Sequence, residues 1–236
     1  MKLRNIVSSG LTEQFADVEP LGSREILVLF HGNFPYPCVR FNRIPIRKRA
    51  RIVKTSCEYF GNSTSLLDGP KGEWFRHQFE LVRKSLEKVN LNHLNPSTKA
   101  TESIRQSLVK PLNHWSTKVL ATSVLPPNRA SSNYRIDYQL RSTEAGTDSK
   151  KLISLELVFD NRQAVGTNLL KLESSARQFV SDSRGVCMSL IVAPSQNLKD
   201  LGFWDNSVAT GPEYSWAIRK AYSFSISHSL ILITVS

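Results

Sequence analysis

Two short stretches constrain each other more than any other part of the chain. They are NYRIDYQLR (133–141) and KKLISLELVFDNR (150–162), joined by STEAGTDS. In the second, Ile153, Leu155, Leu157 and Phe159 form one apolar face. Leu152, Ser154, Glu156, Val158 and Asp160 form the other. In the first, Tyr134, Ile136, Tyr138 and Leu140 alternate with Arg135, Asp137, Gln139 and Arg141. This period of two predicts an antiparallel hairpin turning around Gly146–Thr147. Its apolar faces coincide when Ile136 meets Leu157, Tyr138 meets Leu155 and Leu140 meets Ile153. The same register sets Asp137 directly across from Glu156, and a one-residue slip destroys both agreements.

Directly opposed side chains have Cβ atoms about 4.5–5.5 Å apart. Two carboxylates at that distance repel unless something positive lies between them. A divalent cation fits, since Mg²⁺ takes one or two carboxylates together with phosphate and water. The other reading is a hairpin with an ordinary polar face, its acids solvated or paired with Arg135 and Arg141.

Charge separates the candidate partners. The chain of 236 residues carries 31 Lys and Arg against 20 Asp and Glu, a net charge of +11. An excess of that size favours a polyanion, nucleic acid before membrane. Cys38, Cys57 and Cys187 are far apart, and the five histidines show no ligand spacing, so neither a zinc module nor a disulfide framework is expected. The N-terminal stretch lacks the apolar run of a signal peptide, and ILVLF and LILITV are too short to span a bilayer. A soluble cytoplasmic protein is expected.

Residues 1–71 read as a basic, β-rich N-terminal segment. It contains a strand at REILVLF (24–30) and a basic stretch, RFNRIPIRKRARIVK (40–54). Within it Arg47, Lys48, Arg49 and Arg51 are candidate DNA phosphate contacts, or else the charges of a solvated edge strand. From Glu73 the pattern is helical, with Trp74, Phe75, Phe79, Val82, Leu86 and Val89 at helical spacing. A second helix follows, capped by Ser97, Thr98 or Thr101 and ending near Pro111. STKVLATSVLPP reads as a strand. After the hairpin come a helix capped by Thr167 or Asn168, a buried strand GVCMSLIVAP, a helix with Pro212 near its start, and a buried strand SLILITV. Residues 72–236 are thus expected to form an α/β core built on a mixed sheet flanked by helices.

The order of these parts resembles a known family. Asp137 stands on one hairpin strand and ELVFDN on the next. A helix, a buried strand and a loop follow, and EYSW opens another helix, while ESIRQSLVKPLNHW precedes the hairpin. Over roughly residues 97–236 this is similar to the restriction-endonuclease-like nucleases with the PD-(D/E)xK core, in particular the BglII/BstYI/BamHI branch of type II restriction endonucleases. The resemblance implies that Asp137 and Glu156 hold Mg²⁺ against the scissile phosphate. It implies that Asn161 and Arg162 lie against the DNA, Asn161 reading base edges in the major groove. Asn206 and Ser207, in GFWDNSVATGPEY, fall in the loop that supplies further base contacts. The competing reading for that loop is simple turn formation.

One position departs from the pattern. The family carries Lys, Gln or Glu two residues after the catalytic glutamate, and here that position is Val158. Arg135, opposite Val158 in the register, and Lys171, on the following helix, are the candidates to cover the missing group. Asp137 is preferred over Asp148 as the first acid because Asp148 falls at the predicted turn. The resemblance implies a Mg²⁺-dependent type II site-specific deoxyribonuclease. It would be a homodimer acting on double-stranded DNA at a short palindromic site, with a cognate DNA methyltransferase as a genetic partner. The alternatives are a nuclease fold that grips DNA without cutting it, and an RNA-binding or structural protein whose hairpin acids are incidental.

Overall fold

The computed structural model describes residues 17–21, 25–29, 52–91, 99–121, 134–143, 150–159, 161–220 and 228–236. The chain divides into two compact units, Met1–Arg47 and Lys48–Ser236. In the first unit, strands β1 (Asp17–Leu21) and β2 (Glu25–Leu29) pair antiparallel, Asp17 with Leu29 and Leu21 with Glu25. Arg47, Lys48, Arg49 and Arg51 lie outside the described residues, as do Asp148 and Asp160.

The second unit is α/β. Its six-stranded mixed sheet runs β3-β8-β7-β6-β5-β4. The strands are β3 (Thr55–Phe60), β4 (Ser116–Leu120), β5 (Arg135–Thr143), β6 (Lys150–Leu157), β7 (Val186–Pro194) and β8 (Ser229–Val235). The central three, β6, β7 and β8, are parallel, and the outer pairings are antiparallel. Of these, β7 and β8 are the ones written as apolar runs, as suits strands covered on both faces. Residues 48–71, grouped with the N-terminal segment in the sequence reading, supply β3 and helix α1 (Ser63–Asp68) to this unit.

Helices cover both faces. On one, α2 (Glu73–Leu86) and α3 (Lys99–Val109) bury Phe75, Phe79, Val82, Leu86, Ile104 and Leu108 against Ile153, Leu155, Leu157, Leu190 and Ile231. On the other, α4 (Ala164–Ser183) and α6 (Gly211–Lys220) bury Leu169, Leu172, Tyr214 and Ile218 against Ile191, Ala193 and Leu232. A short helix, α5 (Gln196–Asp200), precedes α6 and was not expected from the sequence. Its five residues are too few to show a helical period.

The hairpin register is the expected one from Tyr138–Leu155 to Thr143–Lys150. Beyond Tyr138 the ladder stops. The Leu157 amide donates to the Asp137 carboxylate, Oδ2 at 2.9 Å, in place of a main-chain partner. The side-chain alternation breaks there too. Ile136, expected on the face of Tyr138 and Leu140, packs instead with Val158, Leu169 and Leu172 on the α4 side.

Helix α4 begins at Ala164, one turn before the expected caps. Asn161 leads the chain into it, its side-chain oxygen accepting from the Gln163 amide at 3.1 Å. Asn168 lies inside the helix, buried, donating to the Tyr214 hydroxyl at 2.9 Å and so tying α4 to α6. At its other end α4 closes on Arg184 at φ 50°, followed by Gly185. A Cβ at Gly185 would sit 2.6 Å from the Lys150 carbonyl and 2.5 Å from Phe179, so only glycine fits this approach to β6. Among the described residues no helix is long and apolar enough to cross a membrane.

Candidate active site

The interrupted end of the hairpin gathers the titratable groups. Asp137 from β5 and Glu156 from β6 are both buried, Glu156 only 3 % exposed. Lys171, on the second turn of α4, reaches inward and is 5 % exposed. Its Nζ lies 3.0 Å from Glu156 Oε1 and donates to the Arg135 carbonyl at 3.2 Å. The ammonium, with three donors, thus lies within hydrogen-bonding distance of both that carbonyl and Oε1. A fourth group comes from β4, where Lys118 donates to Asp137 Oδ1.

Helix α4 is pinned in the position that delivers Lys171. Two residues on, Glu173 accepts from Arg177 at 2.5 Å and pairs with His228 Nδ1 at 2.9 Å, while His228 Nε2 meets the Ser189 hydroxyl at 2.8 Å. This Ser–His–Glu chain is enclosed, with Ser189 1 % exposed, so no substrate reaches its hydroxyl. Its work is to link β7 and β8 to the helix.

Of the two basic residues offered for the Val158 role, Lys171 stands beside Glu156. Arg135 contributes its carbonyl to the site, and its exposed guanidinium donates to the Lys118 carbonyl at 3.0 Å. Val158 itself is fully buried in the apolar cluster under α4, with its amide donating to the Val192 carbonyl at 2.9 Å. Lys118 was missed by the sequence reading. It sits between the paired residues Thr117–Tyr138 and Val119–Ile136.

The residues fit a divalent cation. Among the described residues no group of three or more His, Cys, Asp or Glu side chains is assembled. Mg²⁺ needs only one or two protein carboxylates when phosphate and water complete its shell. Asp137 and Glu156, two buried carboxylates from adjacent strands, are the oxygen donors such an ion would take. Cys57 and Cys187 are free, and burial pushes their thiols up to about 11 and about 12, which leaves them inert.

Burial, then the Asp137 carboxylate, push the Glu156 carboxyl up to about 8, against the pull of Lys171 and Lys118. A buried acid with a raised pKa contributes most stability below the ordinary carboxylate pKa. It loses that contribution as pH climbs through its folded value. The metal-free protein should therefore weaken between about pH 4.5 and about pH 8. Glu156→Gln should remove this slope and gain about 1–2 kcal/mol at pH 8, roughly 2–8 °C in Tm. Thermal unfolding at pH 5 and pH 8 checks it; equal gains at both would show that the carboxyl's proton is not responsible.

The segments singled out for base contact come together. Asn161 forms an antiparallel bridge with Val208, and the Arg162 amide donates to the Ser207 carbonyl at 2.8 Å. Asn161, Arg162, Asn206 and Ser207 are all exposed. Arg162 pairs with Glu213 at the start of α6, and Glu213 in turn accepts from the Thr210 amide at 2.7 Å. The loop is shaped from beneath by Lys199, buried, whose ammonium donates to the carbonyls of Asn206 at 3.0 Å and Val208 at 2.8 Å. Ser207 also turns onto Asp205, its amide donating to Oδ1 at 2.7 Å. Phe159 stacks on Trp204 at 5.1 Å, and Trp204 Nε1 donates to Thr101 Oγ1 at 2.8 Å. The exit of β6 and this loop are therefore one packed unit. No protein-family model and no curated protein matches the sequence.

Proposed function

We propose that this protein is a Mg²⁺-dependent endonuclease of the restriction-endonuclease-like kind, hydrolysing duplex DNA at a short palindromic site as a homodimer. The observation that carries the reading is the grouping of Asp137, Glu156 and Lys171 from two adjacent strands and the next helix. The net charge of +11 and the exposed Asn161–Arg162 and Asn206–Ser207 segments supply the polyanion and base contacts.

Asp137 and Glu156 would hold the ion. Bound Mg²⁺ offsets their mutual repulsion, polarises a phosphoryl oxygen and lowers the pKa of its water. The Leu157 amide fixes the Asp137 carboxylate in place through Oδ2. Lys171 brings to Glu156 the charge that Val158 lacks, from the helix and not the strand. Its ammonium is suited to orienting the attacking water and stabilising charge on the phosphate.

Digestion of a sequenced plasmid with purified protein and Mg²⁺, followed by mapping of the ends, tests the reading. Discrete sites, lost on chelation, are expected. The burial of an apolar side chain at position 158 favours a second reading, a protein that binds specific DNA without cutting. Site-specific binding with no cleavage in Mg²⁺ or Mn²⁺ would establish that reading instead.

Base readout has its own test. Asn161→Asp keeps the oxygen that accepts from Gln163 but removes the amide donor. It should cost about 1–3 kcal/mol of preference for the cognate site, the size of one good base contact. Competition binding between cognate and single-mismatch duplexes measures this. An unchanged ratio would move readout elsewhere.

A further inference from the structure

We infer that Lys118 is the resident counter-ion of Asp137, and that a divalent cation enters the site by exchanging with its ammonium. This rests on the metal-site reading above. Both oxygens of Asp137 are engaged, Oδ2 by the buried Leu157 amide and Oδ1 by Lys118 Nζ. An ion shared between Asp137 and Glu156 must take one of them. The Leu157 bond is main-chain and buried, so it stays. The lysine side chain is 55 % exposed against 8 % for the aspartate, so it can leave into water while its partner cannot.

The backbone aims this side chain. Lys118 has φ 52°, in the left-handed region that residues with a Cβ seldom enter. The paired residues on either side keep the strand in register around it, and the Arg135 guanidinium holds its carbonyl. When the ammonium leaves Asp137, the main chain at Lys118 therefore has no reason to move. Such kinks in a strand are found where a side chain must be re-aimed at a site. The exchange keeps Asp137 compensated in the metal-free protein. It also frees one ammonium beside Asp137 only when the ion is in place, where a phosphate would need it.

The test is the affinity for Mn²⁺ alone, without DNA, followed by electron paramagnetic resonance at fixed pH and salt. Lys118→Gly removes the competing charge, and glycine adopts φ 52° without strain, so the fold is not endangered. It should bind Mn²⁺ about two- to fivefold more tightly than the parent, the range for a partly screened ion pair. Lys118→Arg keeps the charge and should bind like the parent, while Asp137→Asn should bind most weakly. If Lys118→Gly binds like the parent while Asp137→Asn loses binding, the exchange is wrong and the metal site stands. Weaker binding by Lys118→Gly would also overturn it, showing that the lysine holds the aspartate ready. If the parent binds no Mn²⁺ in a manner dependent on Asp137 and Glu156, the exchange and the metal-site reading fall together.

Discussion

Glu156→Ala and Asp137→Ala should each lower Mg²⁺-dependent cleavage of duplex DNA by on the order of 10³–10⁴-fold or more. The metal contributes several kcal/mol of charge stabilisation, and each 1.4 kcal/mol is about tenfold in rate. On the proposed function, duplex binding in the absence of metal should survive, because the phosphate contacts that dominate affinity would be made by basic groups elsewhere. Both acids are buried with little room to rearrange, so neither has a substitute among the described residues. Single-turnover cleavage of a cognate duplex, beside a binding isotherm without metal, separates the two effects. Parental cleavage by both variants would remove these residues from the chemistry.

The second large effect concerns Lys171. Lys171→Met should reduce kcat by about 10²–10⁴-fold, the range for one positioned proton-handling or charged group, with the duplex Kd unchanged. The helix placement makes a sharper test possible. Val158 and Lys171 both face the interface between α4 and the sheet, since Val158 packs with Leu169 and Leu172 while Lys171 reaches Glu156. Adding Val158→Lys to the Lys171→Met variant should restore part of the activity. It returns an ammonium to the strand position and to the same carboxylate. A Lys171→Met variant that cuts at the parental rate would leave the lysine as nothing more than a counter-ion for a buried acid.

What the sequence made readable follows its periodicities. The register of β5 on β6 could be read because an unbroken apolar face tolerates no slip, and it is present from Tyr138 to Thr143. The reading failed at Ile136, two residues beyond the last ladder pair, next to where the Asp137 carboxylate captures the Leu157 amide. No pattern of apolar residues encodes a side chain taking over a main-chain partner. Lys171 was within reach because a helix after the second acid has some residue on its inner face. Its inward direction depends on the start of α4, and the Asn161 turn sets that one full turn earlier than Thr167 or Asn168 suggested. Lys118 was out of reach. STKVL carries no clear alternation, and a positive φ at lysine leaves no mark in the sequence as it would at glycine.

The bridge between Asn161 and Val208, with Glu213 holding both Arg162 and Thr210, has a consequence for how this protein would change its target. Two chain segments more than forty residues apart share hydrogen bonds and one ion pair. Substitutions in contact through such a network do not add, and their coupling runs to about 0.5–3 kcal/mol. An exchange at Arg162 would remove the ion pair to Glu213 and so alter the footing of both segments. On the proposed function, single steps to a new site would be steep, and paired changes across the bridge would be the open ones. A library that varies Asn161, Arg162, Asn206 and Ser207 together should yield altered preferences that the four separate single-position libraries do not contain.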